Sequence, residues 1–66
     1  MIIKVNGKDL NVQEGATILS VVESEKFVPE KIVVEYNKEI IPGSRLGEVY
    51  VSNKDSIEIL SFVGGG

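Results

Sequence analysis

The chain contains no histidine and no cysteine, which removes most of the side-chain chemistry open to a small protein. Neither a thiolate nor an imidazole is available as nucleophile, general base or zinc ligand. The carboxylates show no spacing that would set one as acid against another as base. What remains lies at the end of the polypeptide. Gly64, Gly65 and Gly66 follow Val63, and residues without side chains let a backbone enter a narrow channel and approach a partner closely. Extended, Val63 to Gly66 reach roughly 13–14 Å. The reactive group on that arm is the α-carboxylate of Gly66. A carboxylate is a poor electrophile until one oxygen belongs to a good leaving group. A partner enzyme using ATP can supply that as an acyl-adenylate, which sulfur then displaces. The resulting thiocarboxylate is ionised at neutral pH and is a soft nucleophile. A protein without cysteine can therefore carry sulfur on its own backbone end. Terminal glycines also fit a frayed chain end or an expression scar. Those readings stay open on the glycines alone.

Length and charge narrow the rest. Sixty-six residues make one domain that buries about 60% of the surface of its unfolded chain. That allows one thin core and no deep catalytic pocket, so the chain is expected not to be an enzyme, to hold no metal and to bind no cofactor of its own. The net charge is −3 with scattered lysines, so no basic face exists for nucleic acid. A secreted domain of this size usually needs disulfides, and their absence points to the cytoplasm. No apolar run has signal-peptide or membrane-spanning character. The free protein is expected to be monomeric.

The elements that must position the tail follow from alternation and punctuation. Ile2 to Val5 alternates as a strand, and Asn6-Gly7 predicts a tight hairpin turn. Leu10 and Val12 alternate with Asp9 and Asn11 as the return strand. Thr17 is a natural N-cap, and Ile18, Leu19, Val21 and Val22 fall at helical spacing, predicting a helix over 17–26 that Pro29 limits. Strands follow at Lys31 to Tyr36 and Glu39 to Ile41, with a short edge strand at Val49 to Val51 and a last strand from Ile57 to Phe62. Ser44 to Gly47 reads as an irregular or single-turn link, and Asp55 as a cap for the turn into the last strand. The helix must end without a glycine, and Asn37 must carry the strain of its turn unaided. One helix on one face of a mixed four- to five-stranded sheet is an α+β arrangement. In it the first and last strands lie side by side, parallel, in the middle. The domain spans 1–62, with a flexible glycine tail over 63–66.

The order of these pieces resembles a known family. Ile3-Lys4-Val5-Asn6-Gly7, Gly15-Ala16-Thr17-Ile18, Val34-Glu35-Tyr36-Asn37-Lys38-Glu39-Ile40-Ile41-Pro42, Asp55-Ser56-Ile57-Glu58-Ile59 and Phe62-Val63-Gly64-Gly65-Gly66 are similar to the sulfur carrier proteins of thiamin biosynthesis, the ThiS family. The resemblance spans essentially the whole chain. It implies a β-grasp, ubiquitin-like fold. It also implies an adenylyltransferase of the ubiquitin-activating type as one partner, which uses ATP on the terminal glycine. A sulfur-transfer step then makes the thiocarboxylate, and thiazole synthase takes the sulfur. Gly66 is the residue modified, and Gly65 belongs to the same terminal motif.

A docking surface is expected beside the tail. If Ile57 and Ile59 face the helix, Leu60 and Phe62 project from the open face of the sheet, with Ile2 joining them from the neighbouring strand and Val63 leading onward. Three apolar side chains there would mark a binding surface, although isolated surface apolars are ordinary. Arg45, the single arginine, and Glu23, Glu25 and Glu30 read as solvated charges. Alternatives within the class are the small subunit of molybdopterin synthase and a sulfur carrier of another pathway. Outside it, a ubiquitin-like binding module without sulfur chemistry shares the fold.

Overall fold

The computed structural model describes residues 1–62; the predicted tail at 63–66 lies outside them. Strands β1 (Ile2–Val5) and β2 (Lys8–Asn11) form an antiparallel hairpin. Asn6 and Gly7 carry it at φ 50° and 84°, the positive dihedrals of a two-residue turn whose twist matches the strands. Helix α1 (Ile18–Ser24) follows, then β3 (Ile32–Tyr36), β4 (Glu39–Ile41) and β5 (Ser56–Ser61). The sheet order is β2-β1-β5-β3-β4. β1 and β5 run parallel at its centre, with Lys4 opposite Ser56 and Val5 opposite Ile57. The remaining pairs are antiparallel.

Alternation puts one face of this sheet under the helix. Ile3 and Val5 of β1, Ile32 and Val34 of β3, and Ile57 and Ile59 of β5 are buried against Ile18, Val21 and Val22 of α1. Leu46 and Val51, from the long connection between β4 and β5, close the core. The connection starts with a single 3-10 turn at Gly43–Arg45, overlapping the irregular or single-turn link expected at Ser44 to Gly47.

Several boundaries differ from the sequence reading, each for a local reason. The helix is shorter than 17–26. Thr17 is its N-cap, in a capping box closed by Ser20: Ser20 N–H donates to Thr17 Oγ1 at 3.1 Å and Thr17 N–H to Ser20 Oγ at 3.0 Å. At the other end Lys26 takes the left-handed φ of 68° that a glycine would normally supply. Its N–H donates to Glu23 O at 3.0 Å, and Phe27 N–H donates to Val22 O at 3.1 Å. This is the double closure of a helix end, built without glycine. Lys31 belongs to a 3-10 turn started by Pro29, so β3 begins at Ile32.

The predicted edge strand at Val49 to Val51 is not a sheet strand. Tyr50 makes one isolated antiparallel bridge to Thr17, through Ile18 N–H to Val49 O and Val51 N–H to Ala16 O. The segment is drawn to the start of the helix, and β2 and β4 are the sheet edges. Nor does Asn37 carry its turn alone. Asn37 and Lys38 share the positive φ values, 48° and 74°. Asn37 Oδ1 also accepts from Ser56 N–H at 2.8 Å, and its Nδ2 donates to Asp55 Oδ1 at 3.2 Å.

Asp55 does cap the turn into β5. Its carboxylate accepts from Ser52 N–H at 2.6 Å, from Asn37 and from the Tyr36 hydroxyl. Partial burial would raise the Asp55 pKa, but the bonds from Tyr36, Ser52 and Asn37 outweigh it and hold the carboxyl below its ordinary value. The same contact works in reverse on Tyr36. Burial, then the hydrogen bond to Asp55 and its charge, push the phenol up to about 12. Asp55 thus contributes stability that is present above its unfolded pKa and lost as pH falls through the lower folded one. Tyr36 contributes stability that is complete below its ordinary pKa near 10 and lost as pH rises toward 12. Replacing Tyr36→Phe is expected to cost about 1–3 kcal/mol at neutral pH, the scale of a bond to a charged acceptor. It should also remove the alkaline loss of stability between pH 10 and 12. Urea unfolding of both proteins across that range checks the expectation.

Candidate functional site

β5 delivers the chain end. It is the central strand, flanked by β1 and β3, and residues 63–66 follow directly from its last turn of alternation. Gly64, Gly65 and Gly66, with Val63, lie outside the described residues. The site that can be drawn is therefore the platform they leave from.

On the face away from the helix, β5 presents Glu58 and Leu60, because Ile57 and Ile59 point into the core. Leu60 is 57% exposed, and Phe62, just past the strand, is 60% exposed. Phe62 N–H donates to Lys31 O at 3.2 Å, so the chain keeps its pairing with the start of β3 up to this point. Leu60 and Phe62 are thus adjacent and open, as the alternation predicts.

Ile2 is not brought to them. It is also exposed on this face, but β1 and β5 are parallel. Ile2 sits level with the start of β5, where its N–H donates to Asn53 Oδ1 at 2.8 Å and its carbonyl accepts from Lys54 N–H at 2.7 Å. Ile2 is two residues of β1 before Lys4, which is opposite Ser56, and Leu60 is four residues of β5 beyond Ser56, about 20 Å in all. The expected trio is split between opposite ends of the sheet.

Two residues overlooked in the sequence take the place of Ile2. Val33 of β3 is directly opposite Leu60, and Ile40 of β4 is opposite Glu35, which is itself opposite Glu58. Paired residues share a face, so Val33 adjoins Leu60 on the open side, and Ile40, 62% exposed, lies on the same face beyond Glu35. The alternation of β3 already marks Val33 as outward. The register that sets it beside Leu60 is a long-range pairing and carries no local signal.

The same register sets two like charges against each other. Glu35 and Glu58 are cross-strand partners, and neither has an ion-pair partner among the described residues. The ion pairs there are Lys4–Asp9 at 2.6 Å and Arg45–Glu48 at 3.4 Å, both exposed. The apolar patch therefore has an acidic border. At the far end of the molecule a shallow cleft runs along the helix start, lined by Val12, Glu14, Gly15, Thr17, Ser20 and Ser24. It contains no paired acid and base and lies with the Ile2 end, away from Phe62.

The geometry is a five-stranded platform whose central strand, β5, runs past the end of β1. A family model, that of the ThiS family, matches residues 2–66. The chain belongs to the ThiS family. It is 40% identical over 65 residues to the sulfur carrier protein ThiS of Bacillus subtilis strain 168, covering 97% of this chain and 98% of that one. The crystal structure of the thiamine biosynthesis protein ThiS from Geobacter metallireducens superposes with a TM-score of 0.84 at 30% identity, covering both chains completely. The fold is the β-grasp. The chain is also 36% identical to a thiazole synthase of Magnetococcus marinus, matching over all of its own length and 20% of that protein. In this relative and in the thiazole synthase of Paramagnetospirillum magneticum, the chain spans about a fifth of the length.

The Glu35–Glu58 pair gives a direct test of the register. Like charges opposite one another destabilise a sheet, and opposite charges contribute roughly 0.2–1 kcal/mol. Glu58→Lys is therefore expected to raise the urea midpoint at low salt, with the gain shrinking in high salt. A lower midpoint would contradict the pairing.

Proposed function

We propose that this ThiS-family chain is a sulfur carrier of thiamin biosynthesis that works through the carboxylate of Gly66. An adenylyltransferase of the ubiquitin-activating type joins that carboxylate to AMP from ATP, releasing pyrophosphate. A sulfur donor displaces AMP and leaves a thiocarboxylate, which gives its sulfur to thiazole synthase. The chain acts as substrate and donor in these steps and catalyses none of them. The observation that carries the reading is the match to a carrier over nearly the whole of both chains, together with a family model that extends to residue 66.

Chemistry supports the same reading. A chain without cysteine or histidine has no side chain suited to hold transferable sulfur, whereas an activated α-carboxylate can. The match to a stretch of two proteins called thiazole synthase favours that enzyme as acceptor, since joining two partners in one polypeptide raises their effective concentration. The absence of disulfides fits work in the reducing cytoplasm. Leu60 and Phe62, leading into Val63, serve as the docking surface beside the tail, with Val33 and Ile40 extending it.

The test is to incubate the protein with ATP, a cognate adenylyltransferase and a sulfur source, and to weigh the intact chain. The expected product has one oxygen replaced by sulfur. Deleting Gly66 should abolish that gain without changing the urea midpoint. Phe62→Asp should keep the fold and reduce adenylation about tenfold or more, the scale of losing a well-packed apolar contact at an interface. A wild-type chain that never gains sulfur would overturn the carrier reading. A Phe62→Asp protein adenylated at the wild-type rate would overturn the docking surface alone.

A further inference from the structure

The centre of the sheet contains a gap in its backbone pairing. In β5 the even-numbered residues turn their N–H and C=O groups toward β3, as Asn37 N–H to Ser56 O at 2.8 Å and Phe62 N–H to Lys31 O at 3.2 Å show. The odd-numbered residues turn theirs toward β1. Asp55 O accepts from Lys4 N–H at 2.8 Å, and Ile57 O accepts from Asn6 N–H at 2.9 Å. There β1 ends, because Asn6 and Gly7 swing the chain into the hairpin.

The next position is filled by a side chain. Asn6 Oδ1 accepts from Ile59 N–H at 2.7 Å, and Asn6 Nδ2 donates to Ile59 O at 3.3 Å. The amide reproduces the two bonds that a continuing β1 would have made. One step further on, at Ser61, no described residue on that side replaces the missing strand. Ser61 is opposite Ile32 on β3, but in a pair whose backbone groups point away from each other, since the bonded pairs on either side include Phe62 with Lys31. Ser61 is exposed, and among the described residues its N–H and C=O face the vacated lane.

That lane is where the strand leaves the domain, and it has an apolar wall, Leu60 and Phe62, on its open-face side. A backbone donor and acceptor aligned along an extended strand, with alternate side chains beside them, is the arrangement that accepts an added strand. The edge is kept short by the Asn6 amide, which blunts it against indiscriminate pairing. Only four residues follow Phe62, ending at the reactive carboxylate. On the carrier reading, the enzyme that receives that carboxylate lies within four residues of Phe62, so a segment of that enzyme is within reach of Ser61.

We propose that an extended segment of the activating enzyme adds to β5 in the lane that β1 vacates, pairing with the backbone of Ser61 and resting an apolar side chain against Leu60 and Phe62. This rests on the carrier reading. It adds a main-chain register that fixes the direction in which the tail departs.

Amide hydrogen exchange followed by NMR, on the full chain alone and saturated with the adenylyltransferase without ATP, tests it. The Ser61 N–H is expected to exchange quickly in the free protein and at least about tenfold more slowly in the complex, as pairing would require. A second arm uses Ser61→Pro, which removes that N–H from a position that makes no bond to β3. Its affinity for the enzyme should fall about 3- to 10-fold, the loss of one backbone hydrogen bond, with the free protein's spectrum still folded. An unprotected Ser61 N–H in a complex that does form would overturn the proposal. So would protection that rises with protein concentration when no enzyme is present, because the occupant would then be a second copy. If Ser61→Pro does not fold, the exchange measurement alone decides. Failure of the carrier reading appears separately, as an enzyme that neither binds the wild-type chain nor activates it.

Discussion

The parallel pairing of β1 with β5 governs the rest of the structure. It joins residues more than fifty positions apart and buries the strand before the tail in the middle of the sheet. Being parallel, the pair places the start of β1 and the end of β5 at opposite ends of the sheet. β5 is also longer than β1, so its last residues pass beyond the hairpin while β3 still supports them on the other side. The departure point is thus held on one flank and free on the other.

Two asparagines hold β5 at both ends of its run, and both occupy hairpin turns. Asn37, between β3 and β4, bonds Ser56 at the strand's start; Asn6, between β1 and β2, bonds Ile59 near its end. Each has a positive φ, which asparagine tolerates better than most residues because its short polar side chain bonds locally. Here the bonds are long-range instead. The strain of each turn is offset by a contact with the strand that carries the tail, so the hairpins and the central strand order one another. The Tyr36–Asp55 contact lies beside Asn37 and ties the same junction to the connection before β5.

Much of this was legible in the sequence because it is local. Asn6-Gly7 between alternating strands, the Thr17 cap, and the alternation around Ile57 and Ile59 each encode their own geometry, and the helix-on-sheet layering follows from their order. What was not legible depends on register. Ile2 has the right face but the wrong end, which only the Lys4–Ser56 and Val5–Ile57 pairing reveals. Val33 and Ile40 join Leu60 through pairings across β3. The Val49 to Val51 segment has strand composition, yet the helix start takes its hydrogen bonds, a tertiary competition that composition does not record. Lys26 at a left-handed helix end ran against propensity, and the two closing bonds to Glu23 and Val22 are what hold it there.

A two-layer domain of this size has a built-in asymmetry. One helix covers one sheet face, and among the described residues no second layer covers the other. In a chain with so little core, keeping Ile40, Leu60 and Phe62 in water and setting Glu35 against Glu58 both work against stability. Neither is forced by the fold. A polar residue at 40, 60 or 62 would satisfy the same alternation, and a lysine at 58 would relieve the charge pair. These departures from a stable surface lie on the strands around the exit of β5. The Ile2 end has the opposite character: Lys4 and Asp9 are paired across the hairpin, and Asn53 caps the backbone of Ile2. Among the described residues, the polar ties gather where β1 begins, whereas the exposed apolar side chains and the like-charge pair gather around the last residues of β5.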